Sequence, residues 1–201
     1  MAIETNELPH SHRLPLRRPP YDEQTLKNLH NPAFAGLSPQ NLRLSMAYHP
    51  TLGARFQQLA HCVLFEAAVP MRPKEIAIMR TTALTGAEYP WGMHVSIYGE
   101  QCQLDETAVN DLALAESWQT LTDTRWSVED RLVIRMADEL YADTNVSDET
   151  WALLTATWPV AQVIELIFAS GVYHLASYFI NTAAVPLENG QARFPEGYRR
   201  K

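Results

Sequence analysis

Glu75 and His94 are the residues of this sequence whose types and spacing best suit proton transfer. Glu75 stands eleven residues before Gly86, and His94 stands eight residues after it, in two segments with helical spacing. At a rise of about 1.5 Å per residue, two antiparallel helices joined at Gly86 bring these positions within one turn of each other. A carboxylate that faces an imidazole in an apolar interior orients one ring nitrogen, as a general acid–base pair requires. The spacing therefore predicts such a pair.

Both residues also have a purely structural explanation. His94 shares a stripe of helical spacing with Trp91 and Tyr98, and a histidine on such a stripe is commonly a hydrogen-bonded core residue. Glu75 lies three residues after Arg72, and a surface ion pair between them would add only about 0.3–0.5 kcal/mol. The spacing alone leaves the catalytic and the structural interpretations open.

Helix signals recur along the chain, and no strand-like alternation competes with them. Gly86 is placed to end a helix with a positive φ, and the last helix is expected to run from Pro159 to about Ala184. Other helix starts are predicted at Ser38-Pro39, Thr51, Pro73, Pro90, Asp105, Ser127 and Ser147. The sequence therefore predicts an all-α fold.

The chain divides into an arm and one folded body. Residues 1–31 are polar, rich in proline and without a hydrophobic period, which predicts a flexible or draped N-terminal arm. Residues 32–201 are expected to form one all-helical domain, because a chain of 201 residues can bury its own core. Apolar residues make up 46% of the chain, which is typical of a packed protein and argues against disorder.

The last predicted helix is apolar enough to raise the question of a membrane span. Polar residues interrupt it at Gln162, Glu165, His174 and Asn181, which is too often for a helix surrounded by lipid. Its apolar positions cover more than one face of the helix. We therefore predict a central core helix or part of a subunit interface.

Charge, cysteine content and the N-terminal residues argue against several classes of function. Sixteen basic and 23 acidic residues give a net charge of −7, which disfavours nucleic acids and anionic membranes as partners. Two cysteines that form no CxxC pair fit a reducing compartment, and residues 1–20 lack the apolar core of a secretory signal. We therefore predict a cytoplasmic protein that acts on a small molecule. Nucleotide, flavin and serine-hydrolase motifs are absent, and no cofactor is predicted.

Two stretches around the predicted pair resemble the carboxymuconolactone decarboxylase family, which includes the alkylhydroperoxidase D-like (AhpD-like) proteins. They are MRPKEIAIMR at 71–80 and GAEYPWGMH at 86–94, and the resemblance is specific over about 52–114. It implies the multi-helical bundle of AhpD-like proteins. It also implies a homo-oligomer, commonly built on trimers or hexamers, with a dimer as an alternative.

The cysteines of the redox members of this family are missing. In those members a glutamate precedes a histidine by 19 residues, as Glu75 precedes His94 here. The two positions of their CxxC motif fall on Ala87 and Pro90, and neither side chain can supply a thiolate or a resolving thiol. Cys102 lies two helical turns beyond His94 and is interpreted as a small buried residue. This departure favours acid–base chemistry over thiol chemistry.

The non-redox members that the sequence resembles include lactone decarboxylases, and the resemblance implies roles for the matching residues. His94 would protonate the carbanion or enolate that decarboxylation leaves, and Glu75 would orient it. Tyr89 would donate a hydrogen bond to a substrate oxygen. Trp91 and Tyr98 would form an apolar wall of the binding site.

Arg80 is a weaker candidate for binding a substrate carboxylate, because its helical angle relative to Glu75 is unfavourable. A metal site of Glu75, His94 and His174 has suitable ligands but no diagnostic spacing, so no metal is predicted. Our leading hypothesis is a decarboxylase-like enzyme acting on a small carboxylated or lactone-like molecule. Two alternatives stay open: an alkylhydroperoxidase-like antioxidant without the CxxC pair, and a non-enzymatic helical oligomer that binds a ligand.

Overall fold

Helices form the regular structure of the described part of the chain. The computed structural model describes residues 13–30, 40–122 and 124–200, and no strand occurs within these ranges. Its α-helices are α1 (Glu23–Leu29), α2 (Asn41–Met46), α3 (Pro50–His61), α4 (Met71–Leu84), α5 (Glu88–Tyr98), α6 (Glu106–Leu114), α7 (Val128–Asp143), α8 (Asp148–Thr157) and α9 (Val160–Ala183). A π-helical turn, Cys62–Glu66, extends α3, and a 3₁₀ turn, Trp118–Thr120, follows α6. The predicted all-α fold is confirmed.

Helix α4 is the central element of the fold. It packs against α5, α6, α7 and α9. Every residue from 74 to 84 is buried, and Ile76, Ile78 and Met79 are fully enclosed. Full burial of such a side chain stabilises the fold by about 1.5–3 kcal/mol, so apolar packing holds the helices around α4. The helix that carries Glu75 is therefore held by neighbours on several sides.

Several predicted helix boundaries are confirmed. The side chains of Asp105 and Ser147 accept hydrogen bonds from backbone amides in the first turns of α6 and α8. Ser127 and Asp130 form the capping box of α7, in which each side chain accepts from the backbone amide of the other. Gly86 has a φ of +66°, which favours glycine, in the turn after α4. These boundaries depend on neighbouring residues only, which is why the sequence predicts them well.

Three predicted helix starts lie two residues too late. The cap of α3 is the side chain of His49, which accepts from a first-turn amide, instead of Thr51. Helices α4 and α5 begin two residues before Pro73 and Pro90. A proline lacks an N–H group, and the first turn of a helix needs no intrahelical partner for its N–H groups. A proline therefore fits at any position of that turn and marks its start only approximately.

Part of the predicted arm is a helix. The carboxylate of Asp22 caps α1 by accepting a hydrogen bond from the Thr25 amide at 2.7 Å, and Thr25 is buried. Helix α1 packs against α2 and α3. The predicted flexible or draped arm therefore contains a helix in this segment, which the cap and these distant contacts stabilise. Residues 1–12 of the arm and the helix start predicted at Ser38-Pro39 lie outside the described residues.

Helix α9 is the long apolar helix predicted near the end of the chain. It has 24 residues and packs against α4, α5, α7 and α8. By length and composition alone it is apolar enough to cross a membrane, and half of its most apolar window is buried within the protein. It therefore packs as a core helix. The face turned away from the core carries large exposed apolar side chains, which include Ile164, Phe168, Leu175 and Tyr178.

The chain after α9 returns across α5. The side-chain amide of Gln191 donates to the Tyr89 carbonyl at 3.1 Å, and the Ala192 amide donates to a serine hydroxyl of α5 at 2.9 Å. Gly92 lies under this crossing, where a Cβ atom would stand 2.0 Å from the carbonyl oxygen of Ala192. The C-terminal segment therefore holds α5, the helix that carries His94, in place.

Candidate active site

Helices α4 and α5 bring Glu75 and His94 into contact. The two helices lie on either side of the turn at Gly86, and Oε2 of Glu75 lies 2.6 Å from Nδ1 of His94. Only 1% of Glu75 and 6% of His94 is exposed. The structure therefore places a carboxylate against an imidazole, away from solvent.

The surface ion pair considered for Glu75 does not form. The guanidinium of Arg72 binds Asp130 instead, with 2.9 Å between Nη2 and Oδ2. A buried carboxylate needs a partner inside the protein, because its charge is costly to remove from water. His94 is the hydrogen-bonded partner of Glu75. The interpretation of Glu75 as half of a surface pair is therefore wrong.

The second ring nitrogen of His94 is left for a ligand. The imidazole is part of the wall of a cavity of about 620 Å³. Nδ1 is held by Glu75, whereas Nε2 has no hydrogen-bond partner within the described ranges. With Glu75 ionised, Nδ1 carries the proton of the neutral ring and Nε2 keeps a lone pair. A nitrogen in this state acts as a general base, and as a general acid once it is protonated.

Two tyrosine rings flank the imidazole in the cavity wall. The ring of Tyr173 meets that of His94 edge-to-face at 4.7 Å, and the ring of Tyr98 lies 5.4 Å away. Burial and, after it, the negative charge of Glu75 raise the pKa of both phenols, and that of Tyr173 rises well above its ordinary value. Both hydroxyls therefore stay protonated near neutral pH. Neither bonds to a described residue, so both can donate to a molecule in the cavity.

Most of the remaining cavity wall is apolar. The apolar side chains come from α3, α5 and α9, and they include Phe56, Met93, Ile97, Ala176 and Ile180. Sites for small molecules commonly have volumes of about 300–1,000 Å³ and an apolar lining with a few polar groups. The size and lining of the cavity therefore suit one small organic molecule beside His94.

The hydroxyl of Tyr89 is already committed to other protein groups. Tyr89, for which the sequence predicts a catalytic hydrogen bond to a substrate oxygen, lines the cavity. Its hydroxyl donates to Oε1 of Glu188 at 2.6 Å and accepts from the Leu42 amide at 3.3 Å. Burial, followed by the hydrogen bond to Glu188, raises its pKa. The role of hydrogen-bond donor to substrate, predicted for Tyr89, therefore suits Tyr98 and Tyr173 better.

Two residues predicted to bind substrate lie outside the cavity. The ring of Trp91 packs against Phe194 at 4.8 Å in the core. Nε of Arg80 donates to Asp138 at 2.6 Å, and Nη1 donates to two backbone carbonyls at the end of α6. Arg80 follows Glu75 by five residues, which turns it by about 140° around the helix. The predicted contacts of Trp91 and Arg80 with substrate are therefore corrected, whereas Tyr98 does line the cavity.

The two cysteines are poorly placed for thiol chemistry at this site. Cys102 is buried, and its burial together with the charge of Glu75 raises the pKa of its thiol to about 11. Cys62 is exposed in the π-helical turn after α3 and is not part of the cavity wall. Since the thiolate is the reactive form of cysteine, Cys102 is a poor nucleophile near neutral pH.

His174 lies apart from the cavity of His94. The centroid of its ring lies 5.9 Å from that of Tyr141 and 4.9 Å from that of Tyr178. Burial lowers the pKa of His174. Within residues 13–30, 40–122 and 124–200, no three potential metal-ligating side chains come together. The metal site considered for Glu75, His94 and His174 is therefore not assembled.

Sequence reasoning missed most polar residues of the cavity wall, among them Tyr173 and Arg43. Tyr173 lines it from α9, and its spacing with Ala176 and Ile180 is a helical stripe that the sequence already contains. Arg43 lines it from α2, a helix of six residues. No motif marks Arg43, because its place depends on how this short helix packs on α3.

Comparison with known proteins adds to these findings at the level of the fold. No protein-family model matches the chain, and no curated protein sequence is similar to it. A solved structure with a similar fold is the alkylhydroperoxidase AhpD core, an uncharacterized peroxidase-related protein from Ralstonia eutropha, with a TM-score of 0.72 and 14% identity. The likeness covers 89% of this chain and 93% of that one.

A second similar structure is a protein of unknown function from Agrobacterium tumefaciens, for which an antioxidant defence role as AhpD has been suggested. Its TM-score is 0.62 at 15% identity, over 71% of this chain and 94% of that one. At such low identity the two structures show the fold alone. The AhpD-like fold predicted from the sequence is therefore confirmed.

Proposed function

We propose that the protein is an acid–base enzyme that decarboxylates a small lactone-like molecule bearing a carboxylate. The observation that carries the proposal is the buried contact of 2.6 Å between Glu75 and His94 at the wall of a largely apolar cavity. The raised pKa of Cys102, about 11, argues against a thiol route at the same place. The AhpD-like fold is compatible with this chemistry but does not establish it.

The proposed reaction assigns a role to His94, Glu75, Tyr98 and Tyr173. The bond between the carboxylate carbon and the neighbouring carbon breaks, carbon dioxide leaves, and the electron pair passes into the conjugated lactone carbonyl. The imidazolium form of His94 then gives its Nε2 proton to the carbon and later regains one from solvent. Glu75 stabilises this imidazolium, and the hydroxyls of Tyr98 and Tyr173 donate to the enolate oxygen.

Replacement of His94 tests the proposal directly. We expect His94→Asn to lower turnover of a carboxylated lactone by about 10²–10⁴-fold, because general acid–base catalysis contributes about that much. Glu75→Gln, which keeps the size of the side chain and removes its charge, is expected to lower turnover as well. Turnover is measured by carbon dioxide release across a panel of carboxylated lactones.

His174→Asn is the matched control, because this histidine lies outside the cavity. Thermal unfolding of each variant checks that the fold is kept. Full turnover by a folded His94→Asn protein would remove the site assignment. A wild-type protein that turns over no member of the panel would contradict the proposed reaction.

The descriptions of the similar structures favour a second candidate, a peroxidase-related activity. Reduction of a hydroperoxide by a thiol needs a thiolate. The candidate thiol is that of Cys102, whose pKa the charge of Glu75 helps to raise. Peroxide consumption that is present in the wild type and lost in Cys102→Ser would favour this candidate. Consumption that persists in Cys102→Ser would exclude this thiol.

A further inference from the structure

Arg43 places a cationic side chain in the wall of the cavity that contains His94. The side chain is half-buried, and Nη1 donates to the Asn28 carbonyl at 3.0 Å and to Oε1 of Gln57 at 2.6 Å. These two bonds join α2 to α1 and α3 and fix the direction of the guanidinium. Arg43 is therefore a positioned cation instead of a mobile surface side chain.

The other edge of this guanidinium is unoccupied by described protein groups. Nε and Nη2 make no hydrogen bond to a described residue, and no described carboxylate lies within ion-pair distance of Arg43. Glu66, the carboxylate in the described wall, is 3.2 Å from Nδ1 of His61. Burial lowers the pKa of Arg43, as expected for a cation whose surroundings do not balance its charge. The Nε–Nη2 edge is the one that binds a carboxylate through two parallel hydrogen bonds.

Helix α5 relates this edge to the reacting group. Arg43 interacts electrostatically with Tyr89, which lines the same cavity five residues before His94. Arg43 and His94 line the same cavity of about 620 Å³, so one small molecule there can contact both groups.

We propose that Arg43 is the anion anchor of the cavity and binds a carboxylate at the end of the substrate remote from His94. This inference rests on the proposed function, because the substrate then contacts the protein at two points. Arg43 binds one end, and the reaction takes place at the other end, beside His94. It selects substrates that carry a second carboxylate, apart from the one that leaves as carbon dioxide. Arg80, predicted from the sequence for this role, is already bound to Asp138.

A pair of probes of equal shape tests the anchor without any turnover. Hexanoate and hexanamide differ in charge at one end only, and their dissociation constants can be measured by titration calorimetry. We expect the wild type to bind hexanoate about tenfold more tightly than hexanamide, a preference typical of a charge-assisted fork. The preference is expected to vanish in Arg43→Gln. It is expected to shrink in Arg43→Lys, which keeps the positive charge but cannot form two parallel hydrogen bonds to a carboxylate.

A control variant separates the anchor from a general change of charge or fold. Arg55→Gln removes an exposed arginine of α3 and is expected to keep the preference. Equal binding of the two probes by the wild type, or a preference that survives in folded Arg43→Gln, overturns the anchor. A preference that depends on Arg43 in a protein that decarboxylates no lactone upholds the anchor and contradicts the proposed function.

Discussion

The charge of one buried residue influences the protonation of its neighbours. Glu75 raises the pKa of Tyr98, Tyr173 and Cys102, in each case after the larger effect of burial. An anion held in an apolar interior makes every further anion nearby more costly. The phenols and the thiol therefore remain proton donors, and His94 is the neighbour that can carry a compensating positive charge.

This effect predicts a large difference in reactivity between the two cysteines. We expect iodoacetamide to modify the exposed Cys62 of the folded protein near neutral pH and to leave Cys102 largely unmodified. The pKa of Cys102, about 11, keeps its thiolate scarce until the pH approaches that value, and its burial limits access. Mass spectrometry of tryptic peptides after timed labelling measures both sites.

Glu75→Gln tests the electrostatic part of this prediction. Removal of the negative charge lowers the pKa of Cys102, so its modification should begin at a lower pH than in the wild type. Urea-unfolded protein, in which both cysteines react, is the reference for complete labelling. Equal rates at Cys62 and Cys102 in the folded wild type at neutral pH would contradict the assignment of Cys102 as an inert thiol.

At the level of secondary-structure elements, α5 depends on the chain that crosses it. Gly92 leaves no room for a side chain, since a Cβ atom there would lie 2.0 Å from the Ala192 carbonyl oxygen. That oxygen is backbone and cannot rotate away. The tail must therefore shift before any larger residue fits at this position.

Gly92→Ala is expected to loosen the C-terminal segment and to lower the free energy of unfolding by about 1–3 kcal/mol, the usual effect of overpacking. Chemical denaturation measures the change, and hydrogen exchange of residues 185–200 locates it. Val128→Ala on α7 is the control, because Val128 is 76% exposed and takes no part in the crossing. If Gly92→Ala unfolds at wild-type denaturant concentrations with unchanged exchange in the tail, the crossing does not constrain α5.

The elements also show how far the sequence determines the site. Hydrophobic spacing, the cap residues and Gly86 predict which helices exist and bring Glu75 opposite His94, because those signals act over a few residues. The hydroxyl of Tyr89 donates a hydrogen bond to Glu188, 99 residues further along the chain, and no local sequence pattern predicts such a partner. Arg43 enters the cavity for a similar reason, since its direction comes from contacts with α1 and α3.

At the level of the whole molecule, α9 has two apolar faces, of which one packs in the core and the other is exposed. Five of the exposed positions repeat at intervals of four and three residues, namely Ile164, Phe168, Gly171, Leu175 and Tyr178. A four–three repeat is the spacing of a seam between two helices. The homo-oligomer expected from the sequence, whether a trimer, a hexamer or a dimer, stays a prediction, and this stripe is where we expect it to form.

A charge on the stripe should separate the subunits. We expect the wild type to have a mass above the 22.8 kDa of one chain, and Phe168→Arg to shift it toward that value, because a buried unpaired guanidinium opposes association. Native mass spectrometry and light scattering measure the masses at matched concentrations. Val128→Arg on α7 is the control, since Val128 is 76% exposed and lies off the stripe, and it should leave the mass unchanged. A wild type of 22.8 kDa at micromolar concentration would show that the stripe does not pair copies of this chain.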